Sequence, residues 1–165
     1  MKAVGLLFIF IACIGTGFSA AYKVKERLDL LYAMSSLLDH IKNEIYLHMT
    51  DYSEIFKFVN DMTAPITNIM RECLDSGMNA DESAAAAFSS RYAKRLLSDE
   101  ERNHLSRTIS AVAATDIDHA QTLLDSEKSR LDESISDALR KRSDEQRLRI
   151  SLALYGGLAA VIILI

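Results

Sequence analysis

The sequence predicts an all-α protein, an antiparallel bundle of about six helices with a transmembrane helix at each end of the chain. Three observations lead to this prediction. The 165 residues include one Pro and six Gly, and they contain no run of alternating β-branched residues that would favour strands. Apolar residues recur at helical spacing through the middle of the chain. Both ends are apolar stretches of the kind that enters a membrane.

Charge divides the chain into three parts. Residues 3–22 and 150–165 carry no charge, whereas residues 23–147 hold all 23 acidic and 17 of the 19 basic residues. We therefore predict an N-terminal transmembrane anchor at 1–22, a helical bundle at 23–147 and a C-terminal transmembrane helix at 148–165. A central part with excess acid disfavours nucleic acid as a partner, because phosphate binding needs a basic surface.

The N-terminal stretch has more than one interpretation. About 20 apolar residues make a helix of about 30 Å, which matches the hydrocarbon core of a bilayer. Ser19 and Ala21 are also the small residues that a signal-peptidase site requires, so a removable signal peptide is an alternative. Lipidation at Cys13 is a third, although Phe10 departs from the cleavage box of a lipoprotein. The competing hypothesis for the whole chain is a secreted helical protein with a cleaved signal peptide and a C-terminal tail anchor.

Basic residues beside the apolar ends predict the orientation. Those on the inner flanks are Lys23, Lys25, Arg27, Arg140, Lys141, Arg142, Arg147 and Arg149. By the positive-inside rule, the central domain is expected in the cytoplasm and both chain ends outside it.

The helices of the central domain follow from apolar spacing and capping residues. The first is predicted from Lys23 to Met49, with an apolar stripe at Leu28, Leu31, Met34, Leu37, Leu38, Ile41 and Ile45. The second begins at Thr50 or Asp51 and buries Ile55, Phe58, Val59 and Met62. The third contains Pro65 in its first turn and ends at Gly77.

Three further helices complete the predicted bundle. The fourth begins at Asn79 and continues through Phe88, Tyr92 and Leu96. The fifth begins at Ser98, where Ser98 and Glu101 have the spacing of a capping box. The sixth begins at Thr115–Asp118 and buries a face at Ile117, Ala120, Leu124, Leu131, Ile135 and Ala138 or Leu139.

No residue pattern predicts an enzyme or a cofactor. His40, Glu44 and His48 share one side of the first helix, but they lack the spacing of a known zinc motif, and a solvated helix face explains them. The sequence contains no glycine-rich phosphate loop. We therefore expect no catalytic residue, no metal, no cofactor and no small-molecule substrate.

Several segments, in their order and spacing, resemble the stage III sporulation protein AB family of endospore-forming bacteria. The segments are Gly15–Phe18, Glu26-Arg27, Glu44-Ile45, Thr50–Ile55, Leu97–Glu101, Asp116 with Gln121, and Ser151–Leu158. The run Ser-Leu-Ala-Leu-Tyr-Gly-Gly-Leu at 151–158 is the most specific of them. Asp51 and Ala153 depart from the usual Pro and Gly of the family.

The resemblance implies a scaffold in the mother-cell membrane during sporulation. It implies a soluble domain similar to the cytoplasmic F domain of the type II secretion system. By that analogy, the domain docks a secretion-type ATPase, sporulation protein AA, and links it to other stage III sporulation membrane proteins.

Two sets of residues are candidates for contacts. The acidic helix starts at Asp99, Glu100, Glu101, Asp116 and Asp118 could bind a basic partner, although helix capping and dipole compensation also explain them. Four glycines in the apolar ends would allow membrane helices to pack closely, and simple flexibility explains them equally. They are Gly15, Gly17, Gly156 and Gly157.

Overall fold

The structure, a computed structural model, describes residues 24–48, 52–56 and 60–164, and it describes side chains only as far as residue 143. The predicted anchor at 1–22, including Gly15 and Gly17, lies outside the described residues. The predicted membrane helix at 148–165 is described only as helical backbone, through Leu164. Within the part whose side chains are described, no helix has the length and apolar character needed to cross a bilayer.

The described residues form helices and no strands. The helices are α1 (24–43), which continues into a π-helical turn at Glu44–His48, then α2 (Tyr52–Ile55), α3 (Ala64–Asp75), α4 (Ala80–Phe88), α5 (Arg91–Leu96), α6 (Asp99–Val112) and α7 (Ile117–Leu164). The predicted all-α class is therefore confirmed for this part of the chain.

The chain divides into two compact units. One unit is Arg27–Ile135, called the helical unit below. The other combines Met1–Glu26 with Ser136–Ile165. Its described residues are helical, at 24–26 and 136–164.

The core of the helical unit is centred on α1. Its largest fully buried side chains are Phe56, Leu30, Leu31, Met34, Leu38, Ile41, Ile55, Ile66, Met70, Leu105, Ile109 and Leu124. Five of these twelve belong to α1. The predicted α1 stripe is buried from Leu28 to Ile41, and Leu30 and Ala33 are buried beside it. A helix buried over so wide a face packs against several neighbours at once.

Ion pairs and hydrogen bonds between helices show the relative directions of the helices. Lys42 Nζ lies 2.6 Å from Asp125, and Lys128 Nζ lies 2.6 Å from Asp39, so α1 and α7 are antiparallel. Thr108 pairs with Glu127, and His104 pairs with Arg130, so α6 and α7 are antiparallel as well. Because α7 opposes both helices, α1 and α6 run in the same direction. The antiparallel arrangement predicted for helices joined by short turns is confirmed for α6 and α7, whereas α1 and α6 are parallel.

The predicted helix ends at Gly77 and Ser98 are confirmed. Gly77 follows α3 with φ of 90°, a backbone conformation that glycine adopts without strain. Ser98 Oγ accepts from the Glu101 amide at 3.2 Å, and the Glu101 carboxylate accepts from the Ser98 amide at 2.7 Å. These two reciprocal bonds form the predicted capping box.

Two predicted helices differ from the structure. The second is only the four residues of α2, with Ile55 and the following Phe56 buried. Its predicted residues Phe58 and Val59 lie outside the described residues. The fourth is interrupted, because Ser90 takes an extended backbone conformation and its Oγ accepts from the Ala93 amide at 3.3 Å. A serine that caps a new helix cannot also continue the old one, so α4 and α5 are separate.

Candidate interaction surface

The helical unit has two ends that differ in chemistry. One end is formed by the start of α1, the residues before α3, and the segment from Phe88 to Glu101. Arg27 on α1 donates to Glu101 on α6 at 2.8 Å, and Tyr92 on α5 donates to the Met62 carbonyl at 3.1 Å. These bonds bring the segments 27–29, 60–63 and 88–101 together. We call this the mixed end, because it contains four Lys or Arg residues and five Asp or Glu residues.

The other end is formed by the end of α1, the α3–α4 turn and the α6–α7 turn. Tyr52 on α2 donates to the Ile109 carbonyl at 2.8 Å, one turn before α6 ends. The charge of Asp81, in the first turn of α4, acts on the same Tyr52 hydroxyl. His40 of α1 lies 3.2 Å from the Ile55 carbonyl. The segments 44–47, 74–82 and 113–119 therefore share one end.

The three segments of this end are acidic. Its three segments contain Glu44, Asp75, Asp81, Glu82, Asp116 and Asp118, and they contain neither Lys nor Arg. The last five of these acids are exposed. We call it the acidic end. It differs from the mixed end, where cations neutralise part of the charge.

Large exposed apolar side chains concentrate at the acidic end. In the described part of the chain there are six of them: Tyr32, Tyr46, Leu47, Met78, Ile117 and Leu139. Four of the six, Tyr46, Leu47, Met78 and Ile117, belong to the acidic end. Scattered single residues of this kind are ordinary on protein surfaces, whereas a concentration at one end is typical of a contact surface.

Two of these residues, Tyr46 and Leu47, lie in the π-helical turn at Glu44–His48. Ile41 is fully buried and Ile45 is half-buried, as the helical stripe requires. Tyr46 and Leu47 follow Ile45 and lie off that stripe. Leu47 is 66% exposed and Tyr46 is 57% exposed. π-helical turns of this kind occur frequently at functional sites.

Tyr52 anchors the acidic end from the inside. Its hydroxyl bonds to the Ile109 carbonyl, and its ring packs edge-on against the Phe56 ring with centroids 5.3 Å apart. Burial, and to a smaller extent the charge of Asp81, raises the pKa of the Tyr52 hydroxyl well above its usual range. The hydroxyl therefore stays a hydrogen-bond donor at any physiological pH.

The five predicted contact acids do not lie together. Asp99, Glu100 and Glu101 belong to the mixed end, and Asp116 and Asp118 belong to the acidic end. The first set lies at the start of α6 and the second beyond its end, and the 14 residues of α6 extend over about 20 Å along the helix axis. No single small partner surface can therefore contact all five.

Four of the five acids have a partner within the chain, and three of them are in close contact with it. Glu101 closes the capping box and pairs with Arg27, and its side chain is only 10% exposed. Asp99 pairs with Arg102. Asp116 Oδ1 accepts from the His119 amide at 2.9 Å and so caps α7. Glu100, which is 85% exposed and 4.0 Å from His104, and Asp118, which is exposed, are better placed for an outside partner.

The histidine group considered for a metal has another explanation at His40. Its Nε2 lies 3.2 Å from the backbone carbonyl of Ile55, which ties the end of α1 to α2. In the part of the chain that the structure describes, no three His, Cys, Asp or Glu side chains are grouped so as to hold a metal ion.

Sequence reasoning missed the exposed apolar residues. The apolar stripe predicted for the first helix ends at Ile45, and Tyr46 and Leu47 lie outside it. Ile117 was predicted to lie on the buried face of its helix, and that prediction is wrong, because Ile117 is 39% exposed. It is the first residue of α7 and lies beyond the end of α6. The sequence does contain a signal for the exposure of Tyr46 and Leu47, because both residues lie off the apolar stripe of α1.

Fold and surface together define an all-helical bundle protein with one acidic end that exposes apolar side chains. The family model for stage III sporulation protein AB matches residues 2–165, which is essentially the whole chain. The chain therefore belongs to the stage III sporulation protein AB family, a structural family of sporulation that is not known as enzymatic. No curated protein and no solved structure gives a significant match.

Proposed function

We propose that this chain is a non-enzymatic membrane scaffold of a secretion-like channel complex in sporulation, and that it docks a secretion-type ATPase at the mother-cell membrane. The observation that carries the proposal is the family match over residues 2–165. The match covers both apolar ends as well as the helical unit. The proposal therefore treats all three parts as parts of one protein of the stage III sporulation protein AB family.

Charge beside the two apolar ends supports the membrane part of this proposal. Basic residues at 23–27 and 140–149 lie on the inner side of each apolar stretch. In this arrangement the helical unit lies in the cytoplasm, where an ATPase has access to ATP, and both chain ends cross the membrane. Residues 1–22 and 148–165 are the two membrane segments of the proposal.

The helical unit supports a binding role. Its interior is filled by large apolar side chains, centred on α1, so the contacts available to a partner are on its surface. In this proposal the ATPase supplies the chemistry, and the chain holds the ATPase against the other stage III sporulation membrane proteins.

Binding of the purified ATPase, sporulation protein AA, to the full chain in lipid nanodiscs tests the docking role. We expect saturable binding that empty nanodiscs do not show. We also expect no ATP hydrolysis by the chain alone. An ATPase that binds empty nanodiscs and chain-loaded nanodiscs equally would exclude docking.

The topology has a separate test. A reporter enzyme that is active only outside the cytoplasm, fused after Ile165, should be active. Intact mass of the membrane-extracted protein should show the full 165 residues. A mass lower by about 21 residues would instead support the secreted protein with a cleaved signal peptide.

A further inference from the structure

We propose that the acidic end of the helical unit is the surface on which the ATPase docks, and that the docking patch of the ATPase is apolar with a rim of Lys and Arg. This inference rests on the proposed function, since it takes the ATPase as the partner. The juxtaposition that carries it is four exposed apolar side chains and six acids at one end, with no Lys or Arg in the same three segments.

The apolar residues supply the reason for a protein contact. Leu47 is 66% exposed, Tyr46 57%, Met78 46% and Ile117 39%. Removal of such side chains from water is the main favourable term in association, and tyrosine is enriched where interfaces are strongest. Within the described part of the chain, the mixed end has no exposed large apolar residue in its three segments.

The acids determine which partner fits. A second copy of this chain, docked through the same end, would place six acids against six acids, and like charges that face each other across an interface repel. An anionic bilayer surface is repelled for the same reason. A protein surface that carries Lys and Arg is attracted by the acidic end before contact and held in register after it.

The interior of the acidic end favours docking without rearrangement. Tyr52 bonds to Ile109, Phe56 packs edge-on against Tyr52, and His40 contacts Ile55. These contacts hold α1, α2 and α6 together beneath the exposed residues. A surface fixed in advance loses little conformational entropy when a partner binds.

The experiment measures the dissociation constant of the ATPase for the full chain in nanodiscs of zwitterionic lipid. The apolar variant combines Leu47→Ser with Ile117→Ser. The charge variant combines Glu82→Lys with Asp118→Lys. The comparison variant, Asp29→Lys with Glu100→Lys, reverses two exposed acids of the mixed end. Far-UV circular dichroism and thermal unfolding confirm that each variant is folded.

The apolar and charge variants should each weaken binding by about tenfold or more, the loss expected when central contacts of an interface are removed. The comparison variant should bind within about twofold of the wild type. Binding of the wild type should weaken as salt rises, because the attraction between the two surfaces is screened.

Four other results would contradict the inference, and one of them would also contradict the proposed function. A wild-type chain that does not bind the ATPase overturns the proposed function, and the inference falls with it. A wild-type chain that binds while the apolar and charge variants bind equally well overturns the inference alone. So does a loss confined to the comparison variant. A wild-type dimer that the apolar variant separates, seen by light scattering without ATPase, would assign this end to a second copy and also overturn the inference.

Discussion

The two ends of the helical unit use their acidic residues differently. At the mixed end, Glu101 is 10% exposed, closes the α6 capping box and pairs with Arg27. At the acidic end, Asp118 and Glu82 are exposed, and no Lys or Arg occurs in the three segments. Both ends contain acids at helix starts, and the sequence pattern alone treats them as equivalent. Their partners decide which acids hold the fold together and which are available for binding.

The comparison extends to apolar residues. At the acidic end, buried Phe56 and exposed Leu47 are close in the chain but have opposite environments. We expect the buried residue to matter for stability and the exposed one for binding. The changes below separate these roles, in order of expected effect on the free energy of unfolding.

Phe56→Ala should cause the largest loss. Phe56 is completely buried and packs edge-on against Tyr52. Its truncation leaves a cavity and should lower the free energy of unfolding by about 3–5 kcal/mol. Urea denaturation of the detergent-solubilised full chain measures the change. The matched control is Ile117→Ala, at a 39% exposed position of the same end, which should cost less than about 1 kcal/mol. Equal losses for the two would mean that Ile117 is part of the core.

Glu101→Ala should have the next largest effect. It removes the acceptor of the Ser98 amide and the partner of Arg27, at 2.7 Å and 2.8 Å. Loss of a cap and a charged hydrogen bond should cost about 1–2 kcal/mol. Glu100→Ala, next to it but 85% exposed, is the control and should change stability by less than about 0.5 kcal/mol. Glu101→Gln should recover part of the loss, because an amide oxygen still accepts from Ser98.

Glu127→Gln should stabilise the protein at neutral pH. Glu127 is 4% exposed, and Thr108 Oγ1 donates to it at 3.3 Å. Burial raises the pKa of the Glu127 carboxyl, although His104, Thr108 and Arg130 act to lower it. The folded state therefore holds the proton more tightly than the unfolded state. Stability is lost as pH rises from the ordinary pKa of Glu through the raised one.

An amide at position 127 does not ionise, so Glu127→Gln escapes this loss. Its melting temperature should therefore exceed that of the wild type at pH 7. The difference should disappear below the ordinary pKa of Glu. Thermal unfolding at pH 4 to 8 measures it, with exposed Glu133→Gln as the control on the same helix. A wild type more stable than Glu127→Gln at pH 7 would show that the ionised carboxylate stabilises the fold.

Leu47→Ser should have the smallest effect on stability. Because Leu47 is 66% exposed, its truncation removes few contacts and should change the free energy of unfolding by less than about 0.5 kcal/mol. The same urea denaturation measures it, and Leu38→Ser, at a 1% exposed position of the same helix, is the control with a large loss. A loss above about 2 kcal/mol for Leu47→Ser would show that the residue is structural and would weaken its assignment to a docking surface.

Local signals in the sequence were enough to predict several helix ends and most of the core. Ser98 with Glu101, Asn79 with Glu82, and Gly77 act through their immediate neighbours, and the structure has a bond or a backbone angle for each. The α1 stripe was predicted because its apolar spacing is regular. Such features depend on residues three or four apart, which a sequence displays directly.

Features that depend on distant residues could not be predicted in this way. The parallel arrangement of α1 and α6 follows from contacts such as Arg27 with Glu101, which are 74 residues apart. The break between α4 and α5 depends on Ser90 capping a new helix, and the same serine would be tolerated within a helix. The division of the candidate acids between two ends also requires the directions of the helices. The sequence therefore predicted which acids lie at helix starts, but not which of them lie together.

The π-helical turn at Glu44–His48 has a consequence for deletions. Counted in residues, such a turn is an α-helical turn with one residue inserted. Because the wide turn already absorbs the extra residue, deletion of one residue there would restore an ordinary turn and leave the residues on either side in their present orientation relative to Ile41. A variant of that kind would keep the buried stripe of α1. Its change would be confined to the turn, where one side chain fewer is presented.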